Sequence, residues 1–344
     1  MLVKRVLGSV GVAALLTLGV MPAVGQDAMP PLPGEVVVGE LGSPRGVAFD
    51  DAGNLLVAVA GVGGELEIAM TGPDGEGSAR IGLTGRIVAV APDGTVSDLI
   101  AGYPSYDLGM ETGGLYRVIP RGDSLWVVFS GNGSANSGAY WADSVVEYDA
   151  ATLVVKTVIN LNHFEAINDP DGNGYDTNVA DIAWGPDGTL YIADAGGNDL
   201  LAWTAEAGLS LVHAWPDNPV PTSIEVADNG DLYIGFLGEG LAPGAGKIEH
   251  WSGGSLVATF GGLNAVTDIL LDGDTLYAVQ LAVFTAEGPG PGSVVMVTAE
   301  GATPVAEGLP VPFGIAKGPD GALYVSFGTA FVPAGTGGVL KLGM

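Results

Sequence analysis

Residues Val179 to Leu201 read VADIAWGPDGTLYIADAGGNDLL. The stretch opens with a short apolar run, Ile182-Ala183-Trp184, and breaks at Gly185-Pro186-Asp187-Gly188. Proline presets φ, aspartate can bond its own backbone and glycine accepts positive φ, so this tetrad is turn chemistry. Leu190-Tyr191-Ile192-Ala193 resumes β-type residues, and Gly196-Gly197-Asn198-Asp199 makes a second turn. Two such runs around a short glycine turn predict a β-hairpin. A lone hairpin is marginal in water, so it must stack on something.

It stacks on copies of itself. Five other segments fit the template: RGVAFDDAGNLLVAVAG from Arg45, LYRVIPRGDSLWVVFSG from Leu115, TSIEVADNGDLYIGFLG from Thr222, TDILLDGDTLYAVQLA from Thr267 and FGIAKGPDGALYVSFG from Phe313. Anchored on the second residue of the Leu-aromatic or Leu-Leu pair, the units fall at Leu56, Trp126, Tyr191, Tyr233, Tyr277 and Tyr324. Successive spacings are 70, 65, 42, 44 and 47 residues. The last three match the period of roughly 40–50 residues of propeller blades. The first two come into line once their long glycine-rich insertions are removed.

A second, more polar strand pair follows the template, as in RIVAVAPDGTVSDLIAG from Arg86 and KIEHWSGGSLVATFGG from Lys247. Two hairpins per unit give four strands. The expected fold is therefore all-β, a six-bladed β-propeller of four-stranded antiparallel blades. The sixth unit lacks a fourth strand, since only Val339-Leu340-Lys341-Leu342 follows its hairpin. Residues 36–40 are expected to pair with 339–342. That pairing closes the ring and removes edges that would invite aggregation.

The chain has 344 residues, with 11 Lys and Arg against 39 Asp and Glu, a net charge of −28. Such acidity argues against nucleic acid or an anionic membrane surface as partner. There is no cysteine, hence no disulfide, no thiol chemistry and no lipidated cysteine anchor. Lys4 and Arg5 precede an apolar run at 6–21, and Ala23-Val24-Gly25 offers small residues at −3 and −1. This predicts a Sec-type signal peptide over residues 1–25, cleaved after Gly25. The length of the run leaves a membrane anchor as the alternative, against which Pro22 and the small residues argue. Residues 26–34 are a flexible lead-in and 35–344 the propeller, expected to be a secreted or periplasmic monomer with no membrane attachment after cleavage.

Propeller hairpin turns emerge on one face, and the other connections on the opposite face. Here the hairpin turns are short. Insertions at 61–83, 131–141, 238–246, 285–292 and 328–338, with blade-to-blade loops at 103–112 and 162–178, fall on the other side. Elaborated loops on a rigid scaffold mark that face as the expected binding surface, for a small molecule, a glycan or a protein.

Two constellations carry candidate chemistry. Asp169, Asp171, Asn173 and Gly174 follow the opening of a calcium loop, with oxygen ligands at positions one, three and five and glycine at six. Position twelve, where a glutamate belongs, is Ala180, and Asp176 is no standard ligand, so the motif is incomplete. The expected metal ligands are Asp169, Asp171 and Asn173, with calcium as the cofactor. The second set lines the channel mouth, where Gly46, Asp181, Ser223, Asp268 and Gly314 open the inner strands and the register of the second unit stays open. Arg45 and Asn178 lie beside these openings, and Asp194 and Asn198 flank the third unit's turn. The ligand-binding candidates are Arg45, Asn178, Asp181, Asp194, Asn198 and Asp268. Two channel carboxylates at one depth suit a cation or a polyol; equally, they suit caps for neighbouring backbone amides.

Catalytic signals are absent. His163, His213 and His250 are dispersed, no Gly-x-Ser-x-Gly elbow occurs and cysteine is lacking. Neither a nucleophilic triad nor a zinc site follows, and no catalytic residue is assigned.

The stretches starting at Pro44 and Val179 resemble NHL-type repeats. With the signal peptide, they resemble secreted propellers of the ScyD/ScyE family, most distinctively in the run Ala193 to Leu200. That resemblance implies a six-bladed propeller exported from a bacterial cell, and no established general activity. Gluconolactonase-type propellers are similar. Their resemblance implies a divalent metal held by Glu, Asn and Asp at inner-strand openings. Those positions fall on Arg45, Ala180 and Thr222, none of them the required ligand, so that Lewis acid could not be held there. The expected function is non-catalytic binding. The competing readings are a divergent hydrolase or lyase using Asp181, Asp268 and Asp194, and a structural envelope protein.

Overall fold

The computed structural model describes residues 31–72, 75–131 and 142–343. The segment expected to be a signal peptide, residues 26–30 of the expected lead-in, and residues 73–74, 132–141 and 344 lie outside them.

The six templates form six antiparallel hairpins. The inner strands are Pro44–Phe49, Thr112–Arg121, Val179–Trp184, Pro221–Val226, Val266–Asp272 and Ile315–Lys317. The anchors Leu56, Trp126, Tyr191, Tyr233, Tyr277 and Tyr324 sit on the second strands, opposite Ala48, Ile119, Ala183, Glu225, Leu270 and Ala316. The turns use the predicted chemistry. Gly188 adopts φ +85°, its N–H reaches Gly185 O at 3.0 Å, and Asp187 Oδ1 accepts from the Thr189 N–H at 3.0 Å. Gly321 and Asp320 repeat this in the sixth unit.

Two further strands complete each sheet, as Asp199–Thr204 and Gly208–Ala214 do in the third unit. The inner strands neighbour one another in chain order, and the sixth lies beside the first. The architecture is a β-propeller of four-stranded antiparallel sheets. Gly34–Leu41 supplies the outer strand of the last sheet, with Val36 opposite Leu340 and Val38 opposite Val339. The ring therefore closes through the strand the sequence predicts, which runs over Gly34–Leu41 where 36–40 was expected.

The long-loop face is more ordered than insertions suggest. Within 61–83, Leu66–Gly72 folds back on Gly75–Val90, as the alternation Glu65-Leu66-Glu67-Ile68 allows. Within 103–112, Val96–Asp107 runs on, and Tyr106 and Asp107 pair with Gly113 and Thr112, joining the first two sheets. The segment 162–178 holds the helix Asn162–Asn168, and 238–246 a short 3-10 turn.

The core lies between sheets. Trp126 meets Trp184 edge-on at 5.0 Å across the second and third, and Phe49 meets Tyr324 at 4.8 Å across the first and sixth. Val38, Val57, Val88 and Val339 fill the closing seam.

Deleting residues 1–41 exposes the edge of Gly337–Leu342. The expected outcome is loss of the single cooperative melt and a shift to aggregates on size exclusion. An unchanged melt would show that the closing strand is dispensable.

Candidate functional site

Five inner strands slip register at the same place. The slips fall between Pro44 and Val47, Leu115 and Arg117, Val179 and Asp181, Pro221 and Ser223, and Val266 and Asp268. Bulges re-aim side chains, and here they turn one layer inward. The second unit's member of this layer, left open by the sequence, is Arg117.

Arg117 fills the channel. Its Nη1 and Nη2 donate to Asp268 Oδ2 and Oδ1 at 2.6 and 2.7 Å. Its Nη2 also reaches Asp181 Oδ2 at 3.2 Å, and Nε lies 2.9 Å from Asp181 Oδ1. Asp181 accepts from Ile182 N and, in the next unit, Ile224 N. Asp268 accepts from Ile269 N and, in the next unit, Ile315 N. Each carboxylate thus staples two units and binds one central guanidinium. The amide caps, one of the two readings left open for this pair, are present, and the cation both carboxylates hold is the Arg117 guanidinium. Glycine makes the space: a Cβ on Gly46 would lie 2.6 Å from Arg117 Cδ. Burial pushes Asp181 up, against the downward pull of Arg117 and with an upward push from Asp268.

Arg45 is likewise internal, 2% exposed. It donates to Thr112 O at 2.9 Å and Glu111 Oε1 at 3.2 Å. Its guanidinium lies 4.6 Å from the ring centroids of both Tyr116 and Phe313. Val220, Leu237, Leu241, Leu281 and Val311 cluster over the loop end of the inner strands. The channel cavity, about 270 Å³, instead reaches the short-turn side, among Arg117, Trp184, Glu225 and Asp268. Burial, then the charges of Asp181 and Asp268, push Glu225 up to about 8.

The acidic loop and the third unit's turn, separate in the sequence, form one centre. The helix Asn162–Asn168 presents Glu165, and one oxygen each of Glu165, Asp169 and Asp171 lies within 4.8 Å of the others. Asp171 Oδ2 accepts from Asn198 Nδ2 at 3.2 Å, which ties the loop to the turn. Asp194 accepts the N–H groups of Asn178, Gly196 and Gly197 at 2.7, 3.1 and 3.1 Å, and the Thr177 hydroxyl. Glu165 Oε2 and Asp194 Oδ2 both approach Gly197, 3.2 and 3.4 Å from where its Cβ would stand. Asn198 takes φ +47°, and its Oδ1 accepts from Val220 N.

Asn173 lies beside Asp171, as its spacing suggests. Its N–H and Nδ2 both donate to Asp171, at 2.8 and 2.9 Å, so it holds that carboxylate in position. Glu165 joins Asp169 and Asp171 in the acidic set. The sequence reading missed it because it precedes the loop; the i, i+4 relation to Asp169 along one helical turn is the signal that could have found it. Asn178 accepts from the Ser130 hydroxyl at the edge of this centre.

This centre has no counter-charge of its own. Glu165, Asp169, Asp171, Asp194 and Asp199 have no ion pair with Lys, Arg or His among the described residues. Burial, then the charges of Asp194, Asp171, Asp169 and Asp176, push Glu165 up to about 8. Burial, then Asp194, Glu165 and Asp171, push Asp199 up to about 10. Three hard-oxygen groups converging without a cation can hold a divalent metal.

Two of the three histidines take structural places. His250 bonds Asp231 at 2.9 Å and stacks on Tyr233, and His213 packs against Trp215 and Trp251.

No protein-family model and no curated protein matches this sequence. Solved structures do. A putative oxidoreductase (glucose dehydrogenase) from Thermus thermophilus superposes with a TM-score of 0.56 at 17% identity, covering 90% of this chain and 99% of that one. The PQQ-bound aldose sugar dehydrogenase of Streptomyces coelicolor gives 0.50 at 16% identity, covering 91% and 98%. A streptogramin B lyase gives 0.50 at 12% identity, covering 91% and 96%. At such identities the likeness is one of fold.

Arg117→Met is expected to destabilise the protein by about 3–5 kcal/mol, because it strands two buried carboxylates. Adding Asp181→Asn and Asp268→Asn should recover much of that in denaturant melts. A neutral single variant would contradict the staple.

A second prediction concerns pH. Glu165 has an ordinary value of 4.5 and a folded value of about 8. Its contribution to stability is complete below its unfolded value and is lost as pH rises through the folded one. In chelator, the melting temperature should therefore fall as pH rises from 5 to 9. Glu165→Gln should flatten that fall, and an unaltered slope would contradict the assignment.

Proposed function

We propose that the mature chain is an exported, six-bladed binding propeller of the ScyD/ScyE type whose long-loop face is ordered by calcium. One observation carries this reading. Glu165, Asp169 and Asp171 converge with no ion pair to a cationic side chain among the described residues, whereas Asp181 and Asp268 already hold Arg117. The acidic centre has the ligand chemistry of a hard, oxygen-seeking cation. It lies at the base of the connections that build the outer loop surface, so a bound ion would brace that surface. The partner engaged there is a small molecule, a glycan or a protein, taken by a monomer after export.

The second reading is an enzyme working at the channel. The cavity lined by Glu225, Trp184 and Asp268 favours it, as does the fold shared with sugar dehydrogenases and a lyase. The lining does not suit an anionic quinone cofactor such as PQQ: it sets three carboxylates, Asp181, Glu225 and Asp268, against one guanidinium already engaged. Cation-dependent turnover of a lactone or ester panel would support this reading over binding alone.

The test is a thermal melt of the purified protein in chelator and in added calcium, with bound metal assayed in the same sample. A ligand bound only to the folded state stabilises it by RT ln(1 + [L]/Kd), about 2.7 kcal/mol at a hundredfold excess over Kd. The expected result is a clear rise with calcium that Asp171→Ala abolishes. No shift and no bound metal would sink the calcium reading.

A further inference from the structure

Asp199 opens the third strand of the third unit, opposite Asp194 in the ladder. It is 0% exposed. Neither of its carboxylate oxygens has a hydrogen-bond partner, and Glu165 Oε1 and Asp143 Oδ2 have none either. These are the acidic groups of one neighbourhood: the charges of Glu165, Asp171 and Asp194 all bear on Asp199. A buried polar group without a partner loses its hydration with nothing in return, and a charged one loses more. Native interiors avoid such groups, or fill them with water or an ion.

We propose that the centre holds a second divalent cation of the calcium class, inward of the first, with Asp199 as its main ligand and Glu165 shared between the two. This rests on the calcium reading above and extends it.

Three observations lead there. The outer group of converging oxygens comprises Glu165, Asp169 and Asp171 and does not include Asp199, so one ion at that group leaves Asp199 unserved. Glu165 has one oxygen unpartnered and brings the other, with Asp194 Oδ2, close to Gly197, beside the ladder pair Asp194–Asp199. Asp194 is the contrast: four N–H and O–H donors already surround its carboxylate. It contributes field to the inner position and needs no metal of its own. Asp199, with no donors, has the opposite requirement. Calcium takes six to eight oxygens, and backbone carbonyls of the turn and water would complete the set.

Equilibrium dialysis of the chelator-stripped protein against calcium alone, read by elemental analysis, tests this. The expected stoichiometry is two ions per chain for the wild type and one for Asp199→Asn, a nearly isosteric change. Asp169→Asn, at an exposed outer ligand, should keep the inner ion and also bind one. One ion in both the wild type and Asp199→Asn would overturn the second site while leaving the calcium reading intact. No ion in either would end both. Should Asp199→Asn fail to fold, the wild type and Asp169→Asn decide the matter: two and one support the inner site, one and none overturn it.

Discussion

The guanidinium of Arg117 sits at the middle of the ring and holds the carboxylates of Asp181 and Asp268 from the third and fifth units. Three units meet at one buried cation. Each carboxylate also accepts an N–H from the unit that follows its own, so the charge network doubles as inter-blade stitching. Buried ion pairs rarely add stability relative to a well-packed apolar core. Their effect here is geometric: the bidentate fork fixes the distance across the channel, and the bulged inner strands must aim their side chains to meet it. Gly46 is the concession that leaves room for the arginine stem.

The same residue type plays two different roles within one unit. Asp181 lies in the channel beside a built-in cation and amide donors. Asp199, on the third strand of the same sheet, is as deeply buried with neither. An aspartate supplied with donors is a structural staple. One denied them is a place where charge must be brought in from outside or the proton kept. That contrast, more than the number of acidic residues, separates the channel from the acidic centre. It also explains why raising the pH should weaken the ion-free protein from the loop side.

Closure and the loop face are linked. The N-terminal strand completes the sixth sheet, so Gly337–Leu342 is paired on both sides, and apolar residues from the connections of the third to sixth units pack together. Their apolar cluster covers that end of the channel. Access to the cavity is left to the short-turn side, away from the surface that the insertions elaborate. Binding on the loop face and chemistry in the channel are thus spatially separate readings of the molecule, and they can be tested independently.

The sequence by itself determined the repeat, the hairpin turns and the closing strand. All three are local or periodic: a Pro-Asp-Gly turn works through its own φ angles and hydrogen bonds, and Leu-Tyr alternation states which face is buried. It also marked Asp169, Asp171, Asp181, Asp194 and Asp268 as residues with something to hold. What each holds was decided by the tertiary structure. Arg117 lies 64 residues from Asp181 and 151 from Asp268, and a one-residue bulge sets whether it faces the channel or the core. No spacing along the chain encodes that slip. Glu165 and Asp199 join the acidic loop only because a helix and a strand turn fold onto it. Charge interactions depend on distance and burial in space, and those quantities exist only once the blades have closed.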